Sequence, residues 1–246
     1  MKLISIITVT YNSAETVEET IKSVLSQKTE AVEYIIIDGC STDNTLEIVK
    51  KYEKDIDIIV SEKDQGISDA FNKGIGLAHG QIIALLNSDD ILNKGAVECL
   101  INNYEPGIDM YRGRMAIWNC KTGEKRHIEP AMDLLPHCHK IYYAHPSTYI
   151  TKSAYEKYGL YDIKCKVKMD IDLLMRMAIA GASMKYIPFE FVDFREGGVS
   201  TRRGRDFNVY KKSLGETMYI YDKNKVGLLP RIYDFIRLSV KFILGR

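Results

Sequence analysis

The sequence predicts an α/β fold with a mostly parallel central sheet flanked by helices and a helical tail at the C-terminus. Over the first hundred residues, short β-branched runs alternate with segments of helical periodicity, and four of those runs end in polar clusters. A chain of 246 residues that is 46% hydrophobic and 27% charged is also long enough to bury a sizeable core. Its 34 Lys+Arg against 33 Asp+Glu leave a net charge of +1, which excludes a disordered polyelectrolyte and a globally basic nucleic-acid binder.

Leu3 to Val9 reads as a buried strand, because a continuous β-branched run suits a strand covered on both faces. Val17, Ile21, Val24 and Leu25 then recur at helical spacing over 13–27, with Ser13 as the expected cap. Val32–Ile37 and Ile56–Val60 are the next strands, separated by a helix over 42–52. A helix over 66–78 leads to a fourth strand, 81–86, and another helix follows at 94–103. Beyond it, 108–118 and 125–128 form a hairpin-like excursion, 183–194 a strand and 206–222 a helix. No internal repeat or long linker divides the chain. We therefore expect one domain over 1–205, in two halves that divide at about 105, and a basic helical extension over 206–246.

The five cysteines (Cys40, Cys99, Cys120, Cys138 and Cys165) are scattered and lack C-x-x-C spacing, which fits a reducing cytosol better than a disulfide framework. His137-Cys138-His139 has no second ligand pair and reads as a polar loop. The start leads straight into strand one, so no signal peptide is expected, and no run of 18 apolar residues suggests a membrane span.

In open α/β sheets ligands bind at the carboxyl ends of the strands. There the sequence places Tyr11-Asn12, Asp38, Asp64-Gln65-Gly66 and Asp89-Asp90. A diacid on a rigid strand end can hold Mg²⁺ or Mn²⁺, or it can form an Asx turn; three neighbouring polar ends favour the metal. Neither a P-loop nor a G-x-G-x-x-G element follows strand one. Tyr11 stands there instead and offers a face for a base, while Asp38 offers an acceptor for a base N–H.

Ile4–Asn12 (ISIITVTYN), Ile35–Thr45 (IIIDGCSTDNT), Asp64–Ile75 (DQGISDAFNKGI) and Leu85–Leu92 (LLNSDDIL) resemble glycosyltransferase family 2 in order and spacing. His145-Pro146, Tyr155–Asp162, Met169–Arg176 and Gly197–Ser200 extend the resemblance over about residues 3–200. It implies the GT-A fold and inverting transfer from a nucleotide-diphosphate sugar, with a UDP-sugar as the expected donor and Mn²⁺ or Mg²⁺ as cofactor. It implies nucleotide-binding roles for Val9, Tyr11 (stacking on the base), Asp38 (hydrogen-bonding it), Asp69 and Asp89. Asp90 is implied as the direct metal ligand. Asp170 resembles the general base; Met169 precedes it where many members have Glu or Ala, so Asp172 is kept as an alternative.

The chemistry suits these groups. A cation offsets charge growing on the departing nucleoside diphosphate, and one carboxylate takes the proton of the attacking hydroxyl. Asp170 also suits the first turn of a helix, where an acid complements the dipole, and Gly181 supplies that helix's stop. His145, Arg202, Arg203 and the neighbouring Arg205 are candidate contacts to acceptor or phosphate.

The tail from Leu228 to Leu244 carries Arg231, Asp234, Arg237 and Lys241 as one stripe beside a wide apolar face. Such a helix can lie in a membrane interface or dock on protein, and a homo-oligomer is compatible with it. Residues 201–246 hold 11 bases and 4 acids, or +7, so residues 1–200 balance at −6. We therefore expect a cytoplasmic enzyme peripheral to the inner face of the membrane, acting on a glycan or lipid-linked acceptor. A nucleotidyltransferase would need a Gly-rich phosphate loop, and a silent sugar-nucleotide binder would have lost Asp89, Asp90 or Asp170; neither pattern is present.

Overall fold

The computed structural model describes residues 2–132, 145–197 and 207–244. Nine strands form one sheet in the order β3-β2-β1-β4-β8-β6-β9-β5, with β7 hydrogen-bonded to β6. The strands are β1 (Ile4–Thr10), β2 (Val32–Asp38), β3 (Ile58–Ser61), β4 (Ile82–Asn87), β5 (Ile91–Leu92), β6 (Met110–Trp118), β7 (Lys125–Ile128), β8 (Thr148–Thr151) and β9 (Met184–Arg195). Described helices are α1 (Val17–Leu25), α2 (Thr45–Lys50), α3 (Ile67–Leu77), α4 (Ala96–Asn103), α5 (Lys152–Tyr158), α6 (Met169–Ile179), α7 (Phe207–Lys223) and α8 (Leu228–Leu244).

The α/β expectation holds, and β1 to β4 are parallel to one another as the alternating pattern implies. The later half is mixed: β8 runs antiparallel to β4 and β6, and β5 antiparallel to β9, while β9 lies parallel to β6. In the parallel half, side chains alternate faces. Ile7, Val9, Ile35, Ile37, Ile83 and Leu85 meet α3, α6 and α7 on one side. Ile4, Ile6, Tyr34, Ile36, Ala84 and Leu86 meet α1, α2 and α4 on the other. Continuous apolar strands are what a sheet covered on both faces requires.

Gly74 lets α3 approach β1 closely, since a Cβ there would collide with the Ile7 side chain. At the other end of the chain α7 is part of this body, for its Ile220 and Tyr221 are fully buried in the core that contains α6.

Two helix starts fall later than the sequence suggests. Ser13 does not cap α1: its carbonyl accepts the N–H groups of Thr16 and Val17 in a turn that precedes the helix. The stretch before α2 is an Asx turn, in which the Asp43 carboxylate accepts the Thr45 N–H at 3.0 Å.

Candidate active site

The register places Thr10 beside Asp38, Asp38 beside Ser61 and Val9 beside Asn87, so four parallel strands end at one rim. Tyr11 stands on that rim with 62% of its surface exposed, its loop turned by the left-handed backbone of Asn12 (φ 50°). The Asn12 amide oxygen accepts the Thr42 N–H at 2.8 Å, tying the first strand's loop to the second's. A Cβ on Gly39 would collide with the Asp64 carboxylate and touch the Tyr11 ring. Gly39 thus lets the Asp64 carboxylate and the Tyr11 ring close in on the end of β2.

Asp38 ends β2 directly before Gly39. It is fully buried and accepts hydrogen bonds from Ser61 Oγ at 2.6 Å and from the Ser41 N–H and hydroxyl. Asp69, in the first turn of α3, accepts the Gln65 N–H at 2.9 Å and lies 3.7 Å from Lys73 Nζ. It fastens the loop that carries Asp64. Val9 is buried and contributes backbone rather than a reachable side chain.

The two acids after β4 differ sharply in surroundings. Asp90 is fully buried; its Oδ2 accepts from the Asn87 amide at 2.9 Å and its Oδ1 from the Arg195 N–H at 3.2 Å. Burial, then the charge of Asp89, push its carboxyl well above the usual range. Asp89 is half-buried, with a more modest upward push from burial, and is the acid with an open side. Burial and these two bonds leave Asp90 less accessible than Asp89 for the direct metal contact expected of it, while each of its oxygens keeps a lone pair.

Arg195, which the sequence reading passed over, closes this corner. Its Nε donates to the Asp89 carbonyl at 3.0 Å, its guanidinium lies 4.9 Å from the Trp118 ring centroid, and NH2 pairs with Glu19. Among the described residues no three His, Cys, Asp or Glu side chains gather to hold a metal. Asp89 alone, however, fits a hard cation that takes one carboxylate and completes its shell with donor phosphates and water.

The start of α6 meets the start of α3, where the Ser68 hydroxyl donates to the Cys165 carbonyl at 2.9 Å and sits 2.9 Å from Met169 Sδ. This juxtaposition places Asp170, at the start of α6, near the first turn of α3, which follows the loop that carries Asp64. Asp170 is half-buried and holds its own helix start, accepting the Ile171 N–H at 2.9 Å. Asp172 points the other way: it is fully buried, with Arg176 Nε at 3.1 Å and Lys223 Nζ at 3.0 Å.

Arg112 and His145 face Asp170 electrostatically. Burial pulls the Arg112 guanidinium down to about 10 against the opposing charge of Asp170. It likewise lowers the His145 imidazole, with Arg112 adding to the effect and Asp170 opposing it. His145 packs against Phe71 and Tyr161, with ring centroids 6.0 Å from each, and its Nε2 lies 3.0 Å from the Tyr161 hydroxyl. Arg112 was missed because nothing local in its strand run sets it apart from Arg114, two residues on. Arg202, Arg203 and Arg205 lie outside the described residues, as do His137, Cys138 and His139 and Gly198–Ser200.

Comparison with known proteins agrees with this layout. Residues 5–166 match the family described as Glycosyl transferase family 2. Over 99 residues the chain is 40% identical to the putative teichuronic acid biosynthesis glycosyltransferase TuaG of Bacillus subtilis (strain 168), covering 39% of each protein. Over 123 residues it is 35% identical to the poly(ribitol-phosphate) beta-N-acetylglucosaminyltransferase TarP of Staphylococcus aureus (strain N315). That match covers 48% of this chain and 38% of TarP, so the chain spans well under half the length of these relatives.

Among solved structures, the fold resembles S. aureus TarS 1–349 in complex with UDP-GlcNAc (TM-score 0.69, 19% identity, 99% of this chain and 72% of that one). It also resembles the mannosyltransferase PcManGT of Pyrobaculum calidifontis in complex with GDP-Man and Mn²⁺ (TM-score 0.65, 14% identity, 97% and 69%). At these identities the likeness is one of fold, and it is the GT-A arrangement.

Proposed function

Since this chain belongs to glycosyl transferase family 2, we propose that it moves a sugar, with inversion, from a nucleotide-diphosphate sugar to a hydroxyl of a glycan or lipid-linked acceptor. A UDP-sugar is the donor we favour, because curated relatives include an N-acetylglucosaminyltransferase and a matching fold is bound to UDP-GlcNAc. One observation carries the reading. Tyr11, Gly39, Asp64 and the half-buried Asp89 all follow the carboxyl ends of neighbouring parallel strands, and the contact of Ser68 with Met169 joins the start of α6, where Asp170 sits, to the start of α3.

In this mechanism Tyr11 stacks on the base, and Asp38, held by Ser41 and Ser61, anchors the turn at Gly39 beside it. Asp89, rather than Asp90, would hold Mn²⁺ or Mg²⁺ together with the donor diphosphate; the cation would supply charge neutralisation for the leaving group. Asp170 accepts the proton of the acceptor hydroxyl as the bond to the anomeric carbon forms, and a single displacement needs no covalent nucleophile. Asp172 is the weaker base candidate because its carboxylate is committed to Arg176 and Lys223. The buried Arg112 sets a positive charge opposite Asp170. We further propose that the enzyme works on the cytoplasmic face of a membrane, where a lipid-linked acceptor is presented.

The test is a thermal-shift titration with UDP, GDP and their sugar conjugates, with and without Mn²⁺, since a ligand that binds the native state raises Tm. We expect a UDP response that Mn²⁺ enlarges. No response to any nucleotide would refute the reading, and a response to GDP alone would overturn the choice of base.

A further inference from the structure

The C-terminal helix α8 is mounted with its apolar side outward. Three of the four residues of its charged stripe turn inward instead, Lys241 being the exposed one: Asp234 is fully buried, bonded to the Tyr221 hydroxyl of α7 and to Arg237 Nε at 2.6 Å. Arg231 pairs with Asp222 of α7 and donates to the Val226 carbonyl at 2.9 Å. Phe242 stacks on Tyr210 of α7 with centroids 4.9 Å apart. What remains outside is a row at helical spacing, Leu229, Ile232, Ile236, Val240 and Ile243, exposed by 45–81%. Leu228, Phe235 and Leu244 widen it. A water-facing helix normally presents the reverse, and a contiguous outward apolar face of this kind marks a surface that is covered in use.

The helix cannot cross a bilayer. No helix among the described residues is long and apolar enough, and 17 residues span only about 25 Å. Its charges suit a helix lying flat. The exposed Lys211, Lys212, Lys225 and Lys241 belong to α7, α8 and the turn between them, within a segment of net +7. A second copy seated on the same face would bring two such basic segments together, whereas an anionic lipid surface complements one.

We infer that α8 is an interfacial docking helix whose Leu229–Ile236–Ile243 row enters the headgroup boundary of an anionic phospholipid bilayer. This rests on the membrane-side transferase reading above and names the surface and the side chains that engage it.

The test is sedimentation of the intact chain with vesicles of phosphatidylcholine, with and without phosphatidylglycerol, alongside Ile236→Glu. Because Ile236 is exposed, the variant should keep the parent's Tm and its thermal response to UDP. We expect sedimentation only with phosphatidylglycerol, weakening as salt rises, and at least about a tenfold loss of partitioning in Ile236→Glu. Two results would overturn the inference: a chain that ignores phosphatidylglycerol vesicles, or an Ile236→Glu variant that binds them as the parent does. A dimer in size-exclusion chromatography that Ile236→Glu splits would assign the face to a second copy and overturn it too. The UDP response is read separately, so failure of docking and failure of the transferase reading are told apart.

Discussion

Asp170 and Asp172 present the same carboxylate two residues apart, and helical geometry sends them roughly 200° from each other around α6. Asp170 faces the junction with the donor loop, while Asp172 is sealed against Arg176 and Lys223. Replacing Asp170 with Asn should lower kcat by about 10²–10⁴-fold and leave the thermal response to UDP intact, which single-turnover and thermal-shift measurements would check. Asp172→Asn should instead lower Tm, because it leaves Lys223 and Arg176 facing a neutral group in a buried site. The same contrast separates Asp89 from Asp90. We expect Asp89→Asn to lose the Mn²⁺-dependent part of the UDP shift and Asp90→Asn chiefly to reduce stability; the opposite pattern would return the metal to Asp90. Adjacent identical residues cannot be ranked from sequence, because only the burial of Asp90 between Asn87 and Arg195 distinguishes them.

Among the elements, α7 bears on the chemistry more than its place in an expected tail suggests. Glu216 is buried and accepts the N–H groups of Lys166, Val167 and Lys168 at 3.0, 3.0 and 2.9 Å, the last turn of chain before Asp170. Lys168 in turn donates to Thr217. Glu216→Ala would strand three donors, each costing about 1–3 kcal/mol if buried. We expect a lower Tm together with a fall in kcat that exceeds any change in donor affinity, and Glu216→Gln, which keeps acceptor oxygen, should recover part of both. The strands of the first half were legible because each is an apolar run closed by a polar end. The two-residue β5 and the mixed pairing of β6, β8 and β9 were not, because pairing partners are set by distant chain. Amphipathicity gave the two faces of α8 but could not say which one meets α7.

At the scale of the whole molecule, the junction between body and C-terminal helices is ionic as well as apolar. Burial acts to raise the Asp162 carboxyl, but hydrogen bonds from Lys223, the Lys164 N–H and Tyr219 outweigh it and hold the group down to about 2, against an ordinary 3.8. A carboxyl lowered in the folded state stabilises above its unfolded value and loses that contribution as pH falls toward its folded one. Stability should therefore drop between about pH 4 and pH 2, and Asp162→Asn should flatten that part of the profile in acid titrations followed by circular dichroism. The overall charge of +1 conceals this division, in which an acidic body and a basic end attract each other as well as external partners.

The loop from Asp162 to Lys168 is held from two sides. Lys166 donates to the Gln65 carbonyl and Cys165 receives the Ser68 hydroxyl on the donor side, while Glu216 grips it from α7. In the proposed mechanism the two substrates would thus meet one shared piece of chain rather than independent halves. Ordering of the donor loop by nucleotide spends conformational freedom that the acceptor no longer has to remove. The expected kinetic signature is compulsory order: donor adds first, acceptor second, and the nucleoside diphosphate leaves last.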